Sequence, residues 1–126
     1  MSARVLVVDD EESILLAMTD YLGDRGFRVD CVSAFREAEL LLRFTVYDVV
    51  IADLRLSATD AAGGLRLLRR VRDISPGTRT ILLTAYRSPE VDEEARRLGV
   101  DALLAKSRGL QEVAALVTSL AAVPGA

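Results

Sequence analysis

A chain of 126 residues, 51% hydrophobic and 28% charged, is long enough to close one core unaided and too apolar to remain disordered. Its 16 basic and 19 acidic side chains leave a net charge of −3, which provides no electrostatic footprint for direct nucleic-acid binding. With no histidine and Cys31 as the single cysteine, the chain has no histidine-based triad, histidine or cysteine zinc cage, phosphohistidine or internal disulfide.

Short apolar runs alternate with stretches of helical period along the chain. The first run is Val5 to Val8, in an opening MSARVLVVDD that lacks the long apolar region of a signal peptide. Ile14, Leu15, Met18 and Leu22 then fall on one helical stripe, closed by Gly23 and Gly26. Arg28 to Val32 alternates in polarity and reads as an edge strand, with Cys31 expected to be a small buried hydrophobe. Ala38, Leu41, Leu42 and Thr45 suggest the second helix. Val49 to Ala52 is an unbroken apolar run, as a strand buried on both faces requires.

Leu65, Leu67, Leu68, Val71 and Ile74 mark a third helix, stopped by Ser75-Pro76-Gly77. Thr80 to Leu83 is the fourth strand. Pro89 opens a helix carrying Val91, Ala95 and Leu98, and Gly99 ends it. Ala102 to Ala105 holds only alanine and leucine, so its strand character does not follow from propensity. Val113, Leu116, Val117 and Leu120 give the last helix. Arginines at 66, 69, 70, 72, 96 and 97 lie on these helices and are read as solvated faces.

Five strands alternating with five helices predict an α/β fold: a doubly wound, flavodoxin-like (βα)5 sandwich whose parallel sheet runs in the order 2-1-3-4-5. Residues 1–121 form the expected domain, with 122–126 as a tail or the start of a linker. No stretch approaches the roughly 20 apolar residues of a membrane span, so the expected location is the cytoplasm, away from membranes.

In such a sheet the carboxyl ends of the strands share one rim, where ligands bind. Asp9 and Asp10 follow the first run, Asp53 the third, Thr84 the fourth and Lys106 the fifth. Singly, each has an ordinary structural reading as a cap, a turn residue, a strand end or a surface lysine. Jointly they describe a carboxylate cluster that is costly without a cation, and Mg²⁺ suits an all-oxygen site better than zinc. Asp53 can then be a nucleophile that carries a phosphoryl group, with Lys106 and the Thr84 hydroxyl pairing its oxygens.

VLVVDDEESI, VVIADLRL, ILLTAYRSPE and ALLAKS resemble the successive signature segments of a bacterial two-component response-regulator receiver domain (CheY-like), over essentially the whole chain. That resemblance implies that Asp9, Asp10, Asp53 and the backbone carbonyl of Arg55 hold Mg²⁺. It implies Asp53 as phosphoacceptor, Thr84 as the switch hydroxyl and Lys106 as the partner lysine. The phosphoryl donor is expected to be a sensor histidine kinase or a histidine phosphotransfer protein. Output is expected through the face spanning Pro89 to Ala121 (fourth helix, fifth strand, fifth helix), toward an effector domain or a second copy. Such a domain is not a turnover enzyme, its only chemistry being self-phosphorylation and autodephosphorylation. One alternative is an interaction module that has given up phosphorylation. Another is a phosphatase or nucleotide-binding enzyme, which would need a GxxxxGK[ST]-type phosphate cradle that the chain lacks.

Three positions depart from the family pattern, and two variable ones flank the site. Ser107 replaces the proline that usually follows the lysine, which predicts a trans bond there. Leu103 replaces a common aromatic, shifting the expected output to the backbone of Ala85 to Ser88. Ser57 replaces a common proline, and the stretch Ser57 to Gly64 reads as a mobile loop or a partner contact. Arg55 and Tyr86 flank the site with bulky side chains, which predicts a long-lived phosphoryl group.

Overall fold

The computed structural model describes residues 2–122. The apolar runs form five strands: β1 (Arg4–Val8), β2 (Arg28–Val32), β3 (Val49–Asp53), β4 (Arg79–Thr84) and β5 (Ala102–Ala105). The periodic stretches form α1 (Glu12–Asp24), α2 (Phe35–Phe44), α3 (Gly63–Ile74), α4 (Pro89–Leu98) and α5 (Leu110–Ala122). A short 3₁₀ turn, Lys106–Arg108, joins β5 to α5. Every strand pairing is parallel, and the order is β2-β1-β3-β4-β5. Residues 123–126 of the expected tail lie outside the described residues, and Ala122 belongs to α5.

Strand geometry sends alternate side chains to opposite faces, and here both faces are covered. Leu6, Val8, Val50, Ala52 and Leu82 pack on one side with α2, α3 and α4. Val5, Val7, Val49, Ile51, Ile81 and Leu83 pack on the other with α1 and α5. All five residues of β3 are buried, whereas the edge strands β2 and β5 have no buried residue. β5 is a strand because Leu103 and Leu104 pair with Leu82 and Leu83, a tertiary effect that overrides its weak propensity.

Helix ends follow the punctuation in part. Ser88 caps α4 by accepting from the Val91 amide at 3.2 Å, Pro89 opens the helix, and Gly99 ends it in the left-handed region at φ +82°. α1, however, runs through Gly23 to Asp24, and of its two closing glycines Gly26, at φ +92°, has the left-handed conformation that favours glycine. α2 stops at Phe44, and Thr45 is already extended. Cys31 is half-buried rather than fully buried, because it lies on the edge strand with Thr19 Oγ1 2.9 Å from its sulfur. The arginine faces are exposed but not idle: Arg66 pairs with Asp60, Arg70 with Glu39 and Arg96 with Glu93, while Arg72 donates to the Gly99 carbonyl.

Candidate functional site

The carboxyl ends of β1, β3, β4 and β5 bring Asp9, Asp10, Asp53, Thr84 and Lys106 to one rim, as the sequence predicts. Asp10, Asp53, Arg55, Thr84, Tyr86 and Lys106 help line an open cavity of about 610 Å³ there. Asp9 lies beneath it, fully buried; Asp53 and Thr84 are also buried, while Asp10 is exposed. One ligand atom from each of Asp9, Asp10 and Asp53 falls within 4.8 Å of the others.

Lys106 holds this acidic group together. Its Nζ lies 3.0 Å from Asp9 Oδ2, 3.1 Å from Asp53 Oδ2 and 2.8 Å from Glu11 Oε1. The Glu11 amide donates to Asp9 Oδ1 at 2.9 Å, leaving buried Oδ2 with an ionic neighbour but no aligned hydrogen-bond donor. Such a buried carboxylate oxygen retains unmet demand for positive charge. The carboxylates alone, all oxygen donors, match a hard divalent cation.

Burial pushes the Asp53 carboxyl up to about 6, and the neighbouring Asp9 charge adds to the effect. Burial likewise raises Asp9. Burial alone would lower Lys106, yet hydrogen bonds and charge from Glu11, Asp9 and Asp53 keep its ammonium above the ordinary range. The site therefore stores unfavourable negative charge, answered by one cation from the chain itself.

Thr84 Oγ1 donates to the Tyr86 carbonyl at 2.9 Å, so its hydroxyl is engaged with the following loop. Tyr86 lines the cavity edge with its side chain 86% exposed. The described residues contain no cis peptide bond, so Lys106–Ser107 is trans. Leu103 is half-buried and packs on the α2–α3–α4 side of the sheet.

The stretch Ser57 to Gly64 is the clearest departure from expectation. Ser57 and Asp60 form a bridge, the Asp60 carbonyl accepts from the Leu56 amide at 3.3 Å, and Gly63 and Gly64 begin α3, both buried. A Cβ on Gly64 would lie 2.1 Å from the Asp53 carbonyl oxygen, and the Gly64 amide donates to the Leu54 carbonyl at 2.9 Å. Gly64 serves close approach of α3 to the Asp53 backbone, and a Cβ on Gly63 would crowd the Asp60 side chain at 2.6 Å, so both are packing positions. The bond between Glu11 and Lys106, 95 positions apart, has no local signal in the sequence.

Residues 5–118 match the model of the response regulator receiver domain family. The alginate biosynthesis transcriptional regulatory protein AlgB of Pseudomonas aeruginosa is 34% identical over 103 residues, covering 82% of this chain and 22% of that protein. The chain thus spans about a fifth of that relative's length. A response regulator from Thermotoga maritima superposes with a TM-score of 0.86 at 25% identity, covering 98% of this chain and 100% of that one. A Burkholderia pseudomallei response regulator, solved with a phosphorylated aspartic acid and a calcium ion, gives a TM-score of 0.81 at 26% identity. That match covers 96% of this chain and 74% of the other.

Proposed function

The chain belongs to the response regulator receiver domain family, and from that premise we propose that Asp53 is its phosphoacceptor, in a Mg²⁺-dependent switch. One observation carries the reading: a buried aspartate ends the central strand, clustered with Asp9 and Asp10 and 3.1 Å from Lys106.

Asp9, Asp10, Asp53 and the Arg55 carbonyl would hold the ion. When bound, Mg²⁺ supplies the positive charge that lets the carboxylates coexist ionised and neutralises the transferring group. In the transfer, an Asp53 carboxylate oxygen attacks the phosphorus of a phosphohistidine on the donor protein. A P–O bond forms as the P–N bond breaks, and the bonding pair goes to the imidazole nitrogen of the donor. The Lys106 ammonium pairs with a phosphoryl oxygen as a compact cation. The Thr84 hydroxyl leaves the Tyr86 carbonyl to donate to another oxygen, pulling on the loop Ala85 to Ser88.

The donor is a sensor histidine kinase or a histidine phosphotransfer protein, and the output passes through α4, β5 and α5 to an effector segment or a second copy. An interaction module without phosphorylation is not favoured, since every residue the chemistry needs converges on one rim. The domain is a phosphoacceptor, not a turnover enzyme. Among the described residues no helix is long and apolar enough to cross a membrane.

The test is intact mass after incubation with phosphoramidate or acetyl phosphate. Wild type with Mg²⁺ is expected to gain one phosphoryl group; Asp53→Asn, and wild type with a chelator, are expected to gain none. An equal gain in Asp53→Asn would refute the assignment.

A further inference from the structure

Lys106 enters the site with its charge already engaged: it donates hydrogen bonds to Glu11 and Asp53 and is ion-paired with Asp9. An ammonium has three N–H groups, and here three carboxylates surround it: Asp9 at 3.0 Å, Asp53 at 3.1 Å and Glu11 at 2.8 Å. Two of these belong to the proposed cation site. Glu11 does not, and it is the nearest. It is also the one at the surface, with its side chain 57% exposed against 1% for Asp9 and 7% for Asp53. When Asp9 and Asp53 turn to a metal ion, Glu11 is the counter-ion that stays with Lys106.

We propose that Glu11 is a positioning residue that holds the Lys106 ammonium and competes with the phosphoryl group on Asp53 for it, so that Glu11 weakens the phosphorylated state. This rests on the phosphoacceptor reading. The phosphoryl oxygens can recruit Lys106 only by displacing Glu11 or by accepting its negative charge as a neighbour, and both oppose phosphorylation. The main chain does not have to move for this exchange. The Glu11 amide stays on Asp9 Oδ1, its carbonyl stays on the Ile14 and Leu15 amides, and its side chain makes no capping bond to α1. Glu11→Gln therefore removes the charge and leaves the backbone contacts in place.

The test is the affinity for beryllofluoride, a phosphoryl mimic, by calorimetry at saturating Mg²⁺ in wild type, Glu11→Gln and Glu12→Gln. Glu12 carries the same charge one residue on, exposed at the start of α1, and no hydrogen bond or ion pair to Lys106 involves it. Glu11→Gln is expected to bind about fivefold more tightly at low salt, the scale of one part-exposed charge pair, with the gain shrinking at high salt. Glu12→Gln is expected to match wild type. Unchanged or weaker binding by Glu11→Gln overturns the proposal, and so does equal tightening by Glu12→Gln. No binding by wild type would overturn the phosphoacceptor reading itself, and this proposal with it.

Discussion

Gly64→Ala tests whether α3 is seated on the Asp53 backbone. The new methyl would lie 2.1 Å from the Asp53 carbonyl oxygen, 2.7 Å from its carbon and 2.8 Å from Leu54 Cα. Every one of these is main chain in a buried strand and its continuation, so no side chain can swing away. To reach ordinary contact the helix start would have to retreat by about 1 Å or more, stretching the 2.9 Å bond from the Gly64 amide to the Leu54 carbonyl. Overpacking costs roughly 1–3 kcal/mol, and a backbone wall puts this case near ~3. For a domain of this size that corresponds to a loss of roughly 10–15 °C in melting temperature. Gly23→Ala is the control: Gly23 lies inside α1 with nothing within 4 Å of its added Cβ. It is expected to gain ~0.5–1 kcal/mol from helix propensity. Thermal melts of the metal-free proteins, followed by circular dichroism, decide it. A Gly64→Ala melt within ~2 °C of wild type would refute the close-approach argument.

Further outcomes follow from the charges and caps. With its carboxyl at about 6 in the fold, above its unfolded value, Asp53 contributes stability that is full below the unfolded pKa and lost as pH rises through about 6. Metal-free wild type is therefore expected to lose on the order of 2 kcal/mol relative to Asp53→Asn between about pH 4 and 7; a pH-independent difference in urea midpoints would contradict this. By NMR titration, Asp9→Asn is expected to lower the Asp53 midpoint and Lys106→Met to raise it, since those charges act in those directions. Ser88→Ala removes the acceptor of the Val91 amide. It is expected to cost ~1 kcal/mol, with faster hydrogen exchange at Val91.

Much of the fold was legible because burial on both faces leaves continuous apolar runs such as Val49 to Ala52, and the acids stand directly after those runs. The rim residues could be grouped from topology alone, since parallel strands bring their carboxyl ends together. What stayed hidden depends on contacts between distant segments. Gly63-Gly64 has the composition of a flexible loop, and only the proximity of the Asp53 carbonyl shows that the missing side chain of Gly64 makes room for backbone. β5 is a strand by virtue of β4, and Glu11 gains its importance from Lys106. The Thr84 hydroxyl is in the expected place, but its engagement with the Tyr86 carbonyl is a matter of rotamer, which sequence does not encode locally.

The seating of α3 on Asp53 has a mechanical consequence. When a bulky group is added between two walls, displacement divides in inverse proportion to their stiffness. The wall carrying Asp53 is an abutment: all of β3 is buried, and α3 bears on its carbonyl without room for a methyl. The opposite wall is compliant, because α4 buries only Ala95 and the residues Ala85, Tyr86 and Arg87 before it are exposed. A group added on Asp53 would therefore find its room on the exposed α4 side, with the α3 side as its anchor.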